Sequence, residues 1–294
     1  MKKLLELENK YKDKTAVFFG SGPSLLNYNL EKLDPSFVKI GFNFFFPYFV
    51  DFWPSLKLDY HIINDPVILQ VPMKDYDNWK KNFTYKRMVD GEMKPYPTNS
   101  GSIAGRKHNA EFYSKTNGDI FLSDESFKEV SLIFSDNVYS NTCKELGSKQ
   151  NSEWISENKD ALSSKNFFTY STDDESCKNA AGSRIFHPAT TLQTTNDNVL
   201  VSTAACNSFC AAGLPILLFM GFSKIYLFGV DFSDGGSFYN PTKGRSFFKE
   251  RELPQALELL SYAKSLGFTE IYFIGSDKFP TTNDMDHLKI VNGP

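Results

Sequence analysis

Residues 15–24 read Thr-Ala-Val-Phe-Phe-Gly-Ser-Gly-Pro-Ser: a short apolar run, Thr15 to Phe19, that stops at a glycine turn, Gly20-Ser21-Gly22-Pro23-Ser24. An unbroken apolar run of this length reads as a strand buried on both faces, the habit of strands in a parallel sheet. Working outward, Ser24 opens a polar-capped segment that runs to Leu33. Phe37 to Asn43 then reads as a second strand, and Leu58 to Asn64 as a third. Each run ends at Gly or Asn. In the last third, Ser208 to Met220 reads as a helix, Lys224 to Asp231 as a buried strand, Leu253 to Leu266 as a helix and Glu270 to Gly275 as a strand. Helix and strand alternating in this way argue for an α/β fold with a mostly parallel sheet, right-handed crossovers and helices on both faces. Open sheets of that kind bind ligands beyond the carboxyl ends of their strands, so Gly20 to Ser24, Asn43 and Asn64 are expected at one crevice.

Between Met73 and Thr195 the texture changes to runs of Ser, Asn, Asp and Lys, with a Tyr/Pro-rich piece from Lys94 to Gly101. Residues 73–195 read as a loop-rich insertion in a single domain spanning 1–294, either a lid or a separate subdomain. Within it Asn117 to Leu122 and Val130 to Ser135 read as further strands. The net charge of −3 and pI near 5.9 give no global basic field, which argues against nucleic acid as a partner. Cys143, Cys177, Cys206 and Cys210 form no CxxC pair and read as packing residues. The N-terminal stretch lacks a sustained apolar core and cleavage site, so a cytoplasmic location is expected. The apolar stretch from Ala204 to Phe222 is broken by Asn207, Ser208, Gly213 and Pro215, and reads as a packed helix rather than a transmembrane segment.

The glycine turn has the ingredients of a phosphate cradle: glycines that admit close backbone approach, and Ser24 at a helix start whose N–H groups favour an anion. It lacks the third glycine of the dinucleotide fingerprint and the lysine of a P-loop, so neither a nicotinamide dehydrogenase nor a P-loop ATPase is supported. The plain alternative is a tight turn. A second cluster, Phe228 to Tyr239, runs from a strand into an acidic, glycine-rich loop that would open at the same sheet edge. There Asp231 can hold a ribose hydroxyl or act as a base, and Tyr239 can donate to phosphate or act as an acid; the alternative is a capping Asp and a packing Tyr. No Asp-x-Asp pair near a strand end suggests a bound metal, and no cofactor is expected.

Taken together, Val17 to Leu25, Asn43, Asn64-Asp-Pro66 and Gly221 to Phe232 with Gly236-Ser-Phe-Tyr239 resemble the bacterial lipooligosaccharide sialyltransferases of glycosyltransferase family 42. More distantly they resemble the MptE-like group of pterin pyrophosphokinases and flagellin-modification transferases. The first resemblance implies a modified Rossmann-like domain, a variant of the GT-A-like architecture, with a lid. It implies metal-independent, inverting transfer from a CMP-sugar to a glycan acceptor in lipopolysaccharide biosynthesis. By that resemblance Gly20, Ser21, Gly22, Pro23, Ser24 and Asn43 contact the cytidine nucleotide, and Asn64 the donor. Asn207-Ser208 stands at a further donor-binding step, Tyr239 at one phosphate-binding tyrosine and Ser233 at the position of the other. The resemblance also implies a homo-oligomer, and leaves peripheral association with a membrane open. The family's general-base histidine has no counterpart between Arg245 and Leu253, which makes Glu250 and His187 the substitutes. Lys243 and Arg245 could approach a donor phosphate. Two alternatives remain at this point: an MptE-like pyrophosphokinase using ATP, and a nucleotide-binding protein without catalysis.

Overall fold

Side chains alternate across a strand, and along Thr15–Phe19 both sets are apolar, so this strand needs a packed layer on each side. A computed structural model of the chain describes residues 2–45, 49–64, 69–72, 75, 85–89, 92–96, 115–123, 125–135, 146–147, 149–173, 192–194, 199–202, 209–231, 249–267, 270–274 and 288–291. The strands, in chain order, are β1 (Lys2–Lys3), β2 (Thr15–Phe19), β3 (Val38–Phe42), β4 (Tyr60–Ile63), β5 (Tyr85–Val89), β6 (Glu92–Tyr96) and β7 (Ser131–Ser135). They continue with β8 (Phe167–Asp173), β9 (Leu192–Thr194), β10 (Val199–Ser202), β11 (Lys224–Phe228), β12 (Glu270–Ile274) and β13 (Leu288–Val291).

One sheet runs β13-β12-β11-β2-β3-β4-β7-β8-β10-β9, with β1 alongside β8. Every pairing in it is parallel except β9 on β10. From β2 the chain builds outward through β3, β4, β7, β8 and β10, then returns to lay β11 on the other side of β2 and continues outward through β12 and β13. The reversal makes the β2–β11 pair the topological switch point of the sheet. Thus residues 73–195 supply β7, β8 and β9 to the main sheet, while β5 and β6 form a separate antiparallel hairpin.

The period of two sorts the core into two layers. On one face Ala16, Phe18, Ile40, Ile62, Ile133, Ile225 and Phe273 lie under the helical segments Phe209–Gly213, a π-helix, Leu214–Phe219, and Lys249–Ser265. On the other, Val17, Phe19, Ile63, Phe134 and Phe228 are covered by Leu25, Phe45, Trp53, Ile120, Phe121 and Leu162 from short helices and their flanks. The fold is therefore the α/β arrangement with helices on both faces that the alternation implied. Among the described residues no helix is long and apolar enough to cross a membrane.

Two local readings change. Asn117 to Leu122, expected as a strand, is the helix Asn117–Ser123. The reason is a reciprocal cap: Asp119 N–H donates to Thr116 Oγ1 (2.9 Å) and Thr116 N–H to Asp119 Oδ2 (3.1 Å). Such a pair satisfies end groups that a strand would have to pair across a ladder. Likewise, the segment after Ser24 is not a regular helix but two 3₁₀ turns, Pro23–Asn27 and Leu30–Lys32.

Phe18 is fully buried, with its ring centroid 5.2 Å from that of Phe42 and 5.6 Å from that of Phe209. Phe18→Ala is expected to lower the unfolding free energy by about 3–5 kcal/mol, read by urea denaturation. A loss under about 1 kcal/mol would contradict this account of the core.

Candidate functional site at the switch point

The switch point places the two glycine-bearing loops against each other. Beyond β2 the pairing with β11 continues as Gly20 N–H to Phe228 O (2.8 Å) and Gly22 N–H to Gly229 O (2.8 Å). A Cβ on Gly22 would lie 2.6 Å from Asp231 Cγ and 2.7 Å from Gly229 O, so no other residue fits there unless a loop moves. The close approach that these glycines permit is to the protein's own backbone, and two of the amides expected in a phosphate cradle are bonded internally.

Asp231 completes the junction. Its Oδ2 accepts from Ser24 N–H (2.9 Å) and its Oδ1 from Ser24 Oγ. The carboxylate thus occupies the anion position expected at the start of the segment after Gly22. Burial raises the Asp231 pKa above the ordinary carboxylate value, while the two bonds from Ser24 pull it down. In this state Asp231 fastens loop to loop, and both of its oxygens are engaged.

One strand further on, Asn43 and Asn64 meet. Asn43 has a left-handed backbone (φ 45°), a conformation that Asn tolerates better than most residues. Its Oδ1 accepts from Asn64 N–H (2.9 Å), and Asn64 Oδ1 accepts from Tyr170 OH (2.8 Å). Those bonds turn both carboxamide oxygens inward and fix the amide orientation. Among the described residues neither Nδ2 group has a partner, and both side chains are partly exposed. The register of β2, β3 and β4 puts this donor pair at the same carboxyl edge as Gly20.

His61 supports the pair from below. Its Nε2 lies 3.0 Å from Asn43 O, and since a carbonyl only accepts, Nε2 carries the proton. Burial lowers its pKa to about 3, with the bond to Asn43 acting weakly the other way, so the ring is neutral. Beside Asn64, Asn151 Nδ2 donates to Ser135 O at the end of β7 (2.6 Å), and Gln70 Nε2 donates to Asn151 Oδ1 (3.1 Å), bracing the next strand end.

Of the sequence-predicted site residues, the structure brings together Gly20, Ser21, Gly22, Pro23, Ser24 and Asp231 at the switch point, with Asn43 and Asn64 alongside. Asn207, Ser208, Ser233, Tyr239 and His187 lie outside the described residues, as do Lys243 and Arg245. Glu250 falls in the first turn of the helix Lys249–Ser265, and its side chain also lies outside the description. Sequence reasoning missed His61 and Tyr170. The aromatic run Phe167-Phe-Thr-Tyr170 carried a strand signal, but nothing local pairs Tyr170 with Asn64.

No known family model matches the chain, and no curated protein matches it. Among solved structures it is similar to the sialyltransferase CstII from Campylobacter jejuni in complex with cytidine-5'-monophosphate: 15% identity, 95% of this chain and 85% of that one, TM-score 0.43. A complex of the same enzyme with CMP-3FNeuAc gives 13% identity, coverage of 96% and 87%, and a TM-score of 0.44. The monofunctional α-2,3-sialyltransferase Cst-I from Campylobacter jejuni gives 15% identity, coverage of 95% and 80%, and a TM-score of 0.42.

Two measurements check the junction and its support. Ser24→Ala leaves Asp231 Oδ1 without its hydroxyl donor and is expected to cost about 1–3 kcal/mol in urea denaturation. For His61, the folded pKa near 3 lies below the ordinary 6.5, so the unfolded chain binds more protons between those values and stability falls as the pH falls through that window. From this group the wild type should lose about 2 kcal/mol between pH 7 and pH 5, and His61→Gln, which keeps an amide donor and cannot titrate, should remove that loss. Equal pH dependence in the two proteins would show that His61 takes up its proton in the fold as readily as in the unfolded chain.

Proposed function

We propose that this chain is a glycosyltransferase that binds a nucleotide-activated acidic sugar, a CMP-linked nonulosonic acid, at the switch-point crevice and transfers the sugar to a glycan acceptor. The observation that carries the reading is the Asn43–Asn64 pair. Two carboxamides with their oxygens tied inward offer only N–H donors at the carboxyl edge of a parallel sheet. A CMP-sugar of this class is rich in matching acceptors: a phosphate, a carboxylate and a pyrimidine carbonyl. Hydrogen bonds from neutral donors to charged oxygens are among the stronger ones and need no metal ion.

On this reading the acceptor hydroxyl attacks the anomeric carbon and the bond from that carbon to the CMP phosphate oxygen breaks, with inversion. The hydroxyl proton passes to a base for which Glu250 and His187 are the candidates, and Tyr239 donates to the departing phosphate. Residues 1–294 then form one nucleotide-sugar-binding domain, with part of 73–195 closing over the donor or the acceptor. Partners are the donor and a surface-glycan precursor on the cytoplasmic side. Homo-oligomers and peripheral membrane contact fit the same reading.

The test is calorimetry with CMP, CDP, UDP, ADP and ATP, each with and without Mg²⁺. CMP is expected to bind without metal. Asn43→Asp and Asn64→Asp keep the inward oxygen and replace the outward donor with an acceptor, so each should weaken CMP at least about tenfold, near 1.4 kcal/mol. Mg²⁺-dependent ATP binding with no CMP binding would refute the proposal in favour of pyrophosphoryl transfer.

A further inference from the structure

The slot that His61 fills is costly to build, and that cost needs a reason. β4 reads Tyr60-His61-Ile62-Ile63, and alternation turns His61 to the same face as Ile63, into a layer of buried apolar residues. An aliphatic residue there would avoid the desolvation cost of burying an imidazole. The neighbouring strand is also shaped around the ring: Gly41 pairs with His61 in register, and a Cβ on Gly41 would lie 2.5 Å from His61 Nδ1 and 2.9 Å from Leu58 Cδ1. A glycine inside a central strand weakens it, and here it makes room for the imidazole.

What the imidazole contacts is the next residue of the site. Asn43 is a non-glycine residue in the left-handed region, a conformation that persists only where its surroundings hold it. The bond from His61 Nε2–H to Asn43 O fixes the peptide plane that leaves Asn43. With that plane fixed, the Asn43 side chain reaches Asn64 N–H, and Asn64 in turn meets Tyr170 OH. His61 is almost completely buried, so no bulk water competes for that carbonyl.

We infer that His61 is a positioning residue: seated over Gly41 and bonded to the Asn43 carbonyl, it holds the Asn43–Asn64 carboxamide pair in its donor-outward arrangement. Its own ring takes no part in chemistry and acts through Asn43. The importance of that pair for ligand binding rests on the function proposed above; the positioning itself does not.

The experiment therefore reads both. In ¹⁵N spectra the side-chain NH₂ signals of Asn43 and Asn64 are assigned by their loss in the respective Asp variants. His61→Val is expected to move both signals and to weaken CMP at least about tenfold, while His61→Gln leaves both signals near wild type and CMP within about threefold. Ile62→Ala, on the same strand but facing the opposite layer, should lower the melting temperature without moving either signal. The inference fails if His61→Val leaves both signals in place, or if Gln behaves as Val does. Should the Val variant not fold, the wild type still decides: long-range ¹⁵N spectra must show His61 neutral with its proton on Nε2, and a charged ring or the Nδ1–H form overturns the inference. If wild-type protein binds no CMP, the sugar-transfer reading falls, and the amide signals alone judge His61.

Discussion

The parallel contact between β2 and β11 is the interaction on which the remaining structure depends. Each half of the sheet grows outward from it, β3 to β10 on one side and β12 to β13 on the other. Because the crossovers leave in opposite directions, the carboxyl ends of β2 and β11 stand at the place where open sheets of this kind bind ligands. Gly22 lying directly on Gly229 keeps the loop roots in contact, and the Ser24–Asp231 bonds fasten them a few residues later. A side chain at Gly22 would separate the loops, so backbone contact here sets the geometry that any ligand meets.

Around that junction, buried polar side chains bond to one another and to strand-end backbone. His61, Asn43, Asn64 and Tyr170 form a line across β3, β4 and β8, and Asn151 with Gln70 and the Ser135 carbonyl forms a second beside it. Buried polar groups are tolerated when partnered, and a connected set specifies one arrangement where apolar packing tolerates several. Elsewhere the two layers are filled by aromatic and aliphatic residues, with stacked pairs such as Phe19 on Phe45 and Tyr11 on Phe222. The polar lines lie at the carboxyl edge of the sheet, where open α/β sheets in general bind their ligands.

Asp231 shows how a motif can be read correctly for place and differently for use. Its position after a buried strand put it at the same sheet edge as Gly20, and in the fold it stands there against Ser24. A free carboxylate would suit a ribose hydroxyl or a proton transfer. In the fold Ser24 engages both of its oxygens, and burial raises its pKa. The same holds for the glycines: spacing shows that backbone must come close, and cannot show that the approaching backbone is the protein's own.

Local signals determined much by themselves. The apolar runs at Thr15–Phe19, Lys224–Phe228 and Glu270–Ile274 are strands because continuous hydrophobicity over that length suits a two-sided burial site, and their alternation with helices sufficed for a parallel α/β sheet. The carboxyl-end position of Gly20, Asn43, Asn64 and Asp231 followed from that topology. The Asn117 segment was misread because its apolar residues look alike in both periods, while the deciding Thr116–Asp119 cap is a hydrogen-bond fact. Only tertiary structure decided what those residues do there. Register placed His61 over Gly41 and Tyr170 beside Asn64, and strand order laid Gly229 on Gly22. Such pairings join residues far apart in the chain, and no local pattern records them because their energy exists only after the sheet has closed.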